Sequence, residues 1–197
     1  KSLVQLVESL GVRAIGISGK DGGLLVDTDY AGTISSFYKA IKEQNVRFSD
    51  ITYVLATHYH PDHIGLISEI MSKNVKLLLI DTQVSFVHFL DGIFERDKRL
   101  HYKPIDINNA TVIRPEESRD FLKGIGINGE IVSTPSHSQD SVSLVLDSGE
   151  CFVGDLEPLE YLDGYELNES LQNDWERIKS YSPTVIYYAH ANQKILK

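Results

Sequence analysis

One cysteine, Cys151, stands in 197 residues, so no disulfide framework can form within the chain. A single thiol suits a reducing compartment, although an exported bacterial protein can also manage with one. No apolar run approaches the ~20 residues that a membrane-spanning helix requires, and no membrane association is expected. Basic residues are also scarce: 19 Lys and Arg face 28 Asp and Glu, for a net charge of −9. With no dense Lys/Arg run, such a chain repels a phosphate backbone, and nucleic acid is not expected as a partner. Repeats, low-complexity tracts and Pro/Gly/Ser linkers are missing too, so residues 1–197 are read as one domain. The chain starts at Lys1, where a removed signal would leave no trace, and the default location is cytoplasmic. What is present is ordinary for a globular protein: 42% hydrophobic and 24% charged residues, in a length that buries a sizeable core.

Periodicity divides the chain into alternating elements. Residues Ser2–Leu10 fit a helix or an edge strand equally. Val12–Ser18 and Leu24–Asp27 read as strands joined by the turn Gly19–Gly23. Helices are expected over Thr33–Gln44, Ile64–Ser72, Thr82 to about Arg99, and Leu167–Ser180. Strands are expected at Ile51–Ala56, Val75–Ile80, Thr111–Arg114, Glu130–Thr134, Val142–Asp147, Cys151–Gly154 and Thr184–Tyr188. Strand meanders mixed with long helices point to sheets covered by helices, an α/β (α+β mixed) layered class.

The chemistry concentrates in residues 57–63, which read THYHPDH and hold three of the chain's seven histidines. His58 and His60 are two apart, so on an extended segment their rings project to the same side. Pro61 fixes its own φ and biases His60 away from the α region, keeping the segment extended. Asp62 and His63 fall where a helix begins, and Asp62 also suits a cap for that helix. Three crowded imidazoles repel one another when protonated, and a divalent cation relieves that cost by holding them neutral. Metal binding is the reading these residues support. One turn cannot complete a catalytic site, so further donors are sought at strand ends. His137 follows Ile131–Pro135, Asp155 follows Cys151–Gly154, and His190 follows Val185–Ala189. Singly each is an ordinary turn residue; as a set they add three donors from three loops.

The T-H-Y-H-P-D-H run, with S-T-P-S-H, F-V-G-D and Y-A-H downstream, resembles the metallo-β-lactamase fold family. Order and spacing match from Leu24–Thr28 to His190. The resemblance implies a four-layer αββα sandwich of two mixed β-sheets flanked by helices. It also implies two divalent metal ions in the groove between the sheet edges. His58, His60 and His137 would hold one, Asp62, His63 and His190 the other, and Asp155 would bridge them. Zinc is the expected metal, although iron or manganese would also suit these donors. An Asp at the bridging position, where the best-known zinc β-lactamases place a Cys, is similar to the glyoxalase II, lactonase and phosphodiesterase branches. Cys151 lies four residues earlier, in a strand, and reads as a core residue. The implied reaction is hydrolysis of a small ester, thioester or lactone by a hydroxide held between the metals. Asp62 or Asp155 would take the proton as the intermediate collapses. The alternatives are a mononuclear non-haem iron dioxygenase acting on persulfides, and a metal-binding module without catalysis. Departures from the family pattern are Ser136 before His137, Gly65-Leu66-Ile67 at the helix start, and Ala189-His190-Ala191 around the last donor. The chain ends seven residues after His190, without the helical domain of glyoxalase II, which implies a compact member.

Outside the donors, the resemblance gives Asp27 a supporting hydrogen bond to a metal-binding His, and gives Tyr161 or Tyr165 contact with a substrate oxygen. Asp140, just past His137, is either a loop residue or a hydrogen-bonding partner behind the donors, and the loop reading is favoured. The aromatics Phe86, Phe89 and Phe94 read as packing, and Arg96, Lys98, Arg99 and Lys103 as a solvated helix end. Oligomeric state has no signature here.

Overall fold

In the computed structural model, residues 3–9, 12–165 and 168–196 are described. A first sheet has six described strands in spatial order β1 (Leu3–Ser9), β2 (Val12–Ser18), β3 (Gly23–Val26), β4 (Ile51–Leu55), β5 (Lys76–Ile80) and β6 (Thr111–Ile113). Its first three strands are antiparallel neighbours, and β3 to β6 run parallel. The second sheet is ordered β11 (Lys194–Ile195), β10 (Val185–Tyr187), β9 (Glu150–Phe152), β8 (Val142–Leu146), β7 (Gly129–Ser133). There β9 and β10 are parallel and the other pairs antiparallel, so both sheets are mixed.

Alternation along each strand assigns three apolar layers. Leu24, Val26, Leu55, Leu78 and Ile80 face Ile131, Leu144, Leu146 and Phe152 between the sheets. The opposite face of the first sheet, with Leu25, Val54, Leu77 and Leu79, packs on α1 (Ile34–Glu43) through Phe37 and Ile41, and on Ile64, Ile67 and Ile70. The outer face of the second sheet, with Val132, Val145, Cys151 and Ile186, packs on α6 (Glu169–Ser180) through Leu171, Trp175 and Ile178. This is the αββα arrangement, and Cys151 is a buried core residue as its position in a strand suggested. Trp175 is fully buried with its indole N–H donating to the Glu157 carbonyl at 3.0 Å. Trp175→Ala is therefore expected to cost about 3–5 kcal/mol in a denaturant titration.

Several expectations need correction. Residues Leu3–Ser9 form a strand, which resolves the ambiguity at the start. The helix expected over Ile64–Ser72 is two short helices, α2 (Pro61–Ile64) and α3 (Ile67–Met71), divided at Gly65-Leu66. That expected from Thr82 to Arg99 is a 3-10 segment, Asp81–Phe86, followed by the short α4 (Asp91–Glu95) and a 3-10 turn at Lys98–Leu100. Its continuity is broken because the Gln83 side chain is drawn under the strand ends, where it accepts the Ile80 amide and donates to the Ala56 carbonyl. Asp97 then accepts the Arg99 amide and caps the second turn. The short α5 (Ser118–Gly124) and β11 had not been expected. Leu167, the expected start of the last helix, lies outside the described residues.

Candidate metal centre

The donors share one end of the sandwich. Parallel β3 and β4 place Asp27 and the 57–63 turn beyond their carboxyl ends. Because β7 and β9 both run antiparallel to β8, and β9 parallel to β10, the second sheet sends His137, Asp155 and His190 out at its own matching ends. Ligands in open sheets gather at strand carboxyl ends for this reason: the loops there converge. His60 is extended (φ −77°, ψ 153°) and Pro61 opens α2, as the fixed ring of proline favours. Gly154 sits at φ +57°, and a Cβ there would lie 2.5 Å from Thr57 Oγ1, so glycine admits the close approach of the Asp155 turn to the first sheet.

All seven donors come together in two groups. In the first, His58 Nε2 lies 2.9 Å from His60 Nδ1, which lies 3.2 Å from His137 Nε2. Asp155 Oδ2 is 3.7 Å from both His58 Nε2 and His137 Nε2. In the second, His190 Nε2 is 3.0 Å from Asp62 Oδ2 and 3.3 Å from Asp155 Oδ1, and His63 Nε2 is 3.3 Å from that same oxygen. Four ligands at the ~2.0–2.1 Å bond lengths of a tetrahedral zinc site stand about 3.3 Å apart, and both groups straddle that spacing. Asp155 gives a different oxygen to each. The donor chemistry fits as well: among the described residues the buried His63 Nε2 and Asp155 Oδ1 make no well-aligned hydrogen bond and only face each other, with His190, across 3.3 Å, an arrangement that a cation between them would satisfy. The site is open on one side. His58 and His63 are buried, whereas the side chains of Asp62 and His190 are about two-fifths exposed.

Asp27 fixes the floor. It leaves β3 at φ +62°, a conformation Asp tolerates. Its Oδ1 accepts the Thr57 amide at 2.6 Å, its Oδ2 accepts the Thr57 hydroxyl at 2.8 Å, and Oδ2 also lies 3.0 Å from His63 Nδ1. Since Thr57 donates to Asp27, its oxygen is left to accept from His58 Nδ1 at 3.2 Å, so the His58 tautomer that presents a bare Nε2 is favoured. Asp27→Asn removes the charge behind His63 and is expected to weaken zinc about 10–100-fold in a chelator competition.

The electrostatics divide the histidines. Burial, then the neighbouring imidazoles of His63, His60 and His137, pushes His58 far below its ordinary pKa, so it is neutral. Burial disfavours charge on His63 also, but Asp27 and Asp155 outweigh it and raise the pKa to about 10. A raised folded-state value stabilises the metal-free fold fully below about 6.5, and that stability is lost as the pH rises through about 10. A cation on His63 Nε2 must displace this proton. Calorimetry at pH 7 in buffers of different ionisation enthalpy is expected to show about one proton released from His63, and no release would contradict the assignment.

Several supports were not legible as such. Asp140, for which the loop reading was favoured over the supporting one, is buried and accepts the Tyr59 amide, and Gln83 donates to the Asp140 carbonyl. Asp174 of α6 accepts the Ser136 amide, next to His137, at 2.8 Å. Arg13 donates to the Ala191 carbonyl beside His190, and its backbone amide donates to Ala189 at 3.0 Å. Each partner is distant in sequence, so no local signal marks them. Tyr161 is exposed on the 3-10 segment Leu159–Tyr165, and among the described residues no hydrogen bond joins its hydroxyl to the donors. The Tyr165 side chain lies outside the described residues. Phe94 packs as expected, stacked on Tyr102 at 4.2 Å, but Phe89 is 77% exposed. Arg99 is engaged by Asp97 at 2.6 Å.

Comparison with known proteins agrees with this geometry. A family model described as the metallo-beta-lactamase superfamily matches residues 11–190. The chain is 29% identical over 148 residues to a beta-lactamase-like protein 2 homolog of Drosophila melanogaster, covering 73% of this chain and 46% of that one. It is 26% identical over 143 residues to a probable metallo-hydrolase of Bacillus subtilis, covering 60% of this chain and 44% of that one. The chain thus spans about half the length of the curated relatives it matches. Among solved structures, a metallo-beta-lactamase family protein of Thermus thermophilus shares the fold. Its TM-score is 0.71 at 19% identity, covering 98% of this chain and 74% of that one. With a family match across nearly its whole length, a sandwich of two mixed sheets and a His/Asp cluster suited to divalent metal, the chain belongs to the metallo-beta-lactamase superfamily.

Proposed function

We propose that this chain is a hydrolase that holds two divalent metal ions, zinc first among them, and cleaves a small ester, thioester or lactone. The observation that carries this reading is Asp155, whose Oδ2 faces His58 and His137 while its Oδ1 faces His63 and His190. A carboxylate that turns one oxygen toward each group would serve two ions together, which supports the two-metal reading. The Bacillus subtilis relative, described as a probable metallo-hydrolase, supports the reaction class.

Two bound cations would lower the pKa of a water between them and polarise a substrate carbonyl, supplying nucleophile and Lewis acid together. The chain's own residues perform the rest. His58 and His63, buried, hold their rings against motion, and Asp27 orients His63. Asp62 directs Oδ2 at His190 and His63; its other oxygen would take the proton given up by the attacking water and return it to the departing alkoxide or thiolate. His190 and Asp62 border the open side, where a small-molecule substrate approaches.

The test is a panel of small esters, thioesters and lactones offered to the zinc-loaded chain. Hydrolysis that a chelator abolishes and added zinc restores is expected. Absence of turnover across the panel would favour a binding module, and oxygen uptake with one bound iron would favour the dioxygenase reading.

A further inference from the structure

The first donor group is braced by a buried polar connection that lies outside it. Asp140 is 3% exposed. Its Oδ2 accepts the amide of Tyr59, the residue between His58 and His60, at 2.6 Å. Its Oδ1 accepts the hydroxyl of Ser138, next to His137, also at 2.6 Å. Its backbone carbonyl accepts Gln83 Nε2 at 3.1 Å, and that same nitrogen donates to the Ala56 carbonyl at 3.0 Å. Gln83 is itself fully buried.

A residue that merely shapes its own turn needs only local partners, and Ser138 and Ser141 already close this one. Asp140 instead commits an oxygen to an amide 81 residues away in sequence, on the other sheet. Burying a carboxylate is costly unless charge-assisted hydrogen bonds take its oxygens, and here both oxygens are taken at short range. We infer that Asp140 is a positioning residue: its carboxylate ties the His58–His60 turn to the His137 turn and so sets the affinity of the first donor group for a divalent cation. The second group differs, since Asp140 makes no hydrogen bond to Asp62, His63 or His190 among the described residues.

This inference rests on the proposed two-metal reading, and zinc titration against a chromophoric chelator separates the two. Wild-type protein, Asp140→Ala and Asp140→Asn are compared, with melting of each metal-free protein as a check on folding. In Asp140→Ala one zinc equivalent is expected to weaken about 10–100-fold while the other stays within about threefold. Asn retains an acceptor for the Tyr59 amide and a donor for the Ser138 oxygen, so it is expected to recover most of the loss. If Asp140→Ala does not fold, Ser138→Ala cuts one of the two grips and is expected to weaken the same equivalent severalfold. Unchanged binding, or equal weakening of both equivalents with a lowered metal-free melting point, would overturn the role. If the wild-type chain holds only one ion, the two-metal reading fails. Asp140 is then judged on that ion: weakening in Ala with rescue in Asn upholds it, and unchanged affinity overturns it.

Discussion

Asp155→Ala is expected to strip metal and activity together. Four imidazoles face this carboxylate: His63 and His190 at 3.3 Å, and His58 and His137 at 3.7 Å. Burial works against its charge, but contact with His63 outweighs that and holds its pKa below the usual carboxylate range, so it is ionised across the neutral range. Alanine would remove an oxygen from each group at once and leave the histidines without their shared counter-charge. Zinc affinity of both equivalents is expected to fall by more than about 100-fold, beyond the loss typical of a supporting residue. Metal content after gel filtration and turnover of a responsive ester measure this directly. Retention of two metals by the variant would remove Asp155 from the bridging position.

Gly65→Ala is expected to have a comparably large effect, but on stability. Gly65 has an ordinary helical φ of −59°, so the demand is steric rather than conformational. An added Cβ would lie 2.6 Å from the Tyr30 carbonyl carbon and 2.7 Å from the Asp29 oxygen, both backbone atoms. That loop cannot withdraw freely, because the amide and hydroxyl of Thr28 both donate to the His63 carbonyl, at 3.0 and 2.7 Å. Relieving the clash therefore drags a donor of the second group. A loss of about 3 kcal/mol is expected, the upper end for overpacking, and it should lower Tm by roughly 6–12 °C in a chain of this size. Zinc binding should weaken alongside. Gly92→Ala is the control: nothing lies within 4 Å of a Cβ there, and the substitution should be neutral or slightly stabilising. Equal melting points for the two variants would show that the 28–31 loop is not rigidly held.

The cluster of candidate donors was legible because metal chemistry demands uncommon residues at strand ends, and His58, His60, Asp62, His63, His137, Asp155 and His190 stand out from the apolar strands before them. The layered fold followed from the same strands, whose alternation survives as the inward Leu24 and Leu55 and the outward Leu25 and Val54. What could not be read were interactions made across the sandwich. Asp140 suited a turn residue as well as a supporting one in the sequence, and its bond to the Tyr59 amide decides between them. Gln83 sat within an apparent helical period, but its side chain hydrogen bonds to Ile80 and Ala56 outweigh the helix that periodicity favoured. Local pattern reports what each segment prefers alone; it carries no record of which carbonyl another sheet will present.

Two bound metals are the centre of this interpretation, and metal analysis of protein purified without added metal tests it most directly. The expected result is about two divalent ions per chain, with ester hydrolysis that disappears when a chelator removes them and returns with zinc. A single tightly held iron per chain, with oxygen consumption and no hydrolysis, would contradict it.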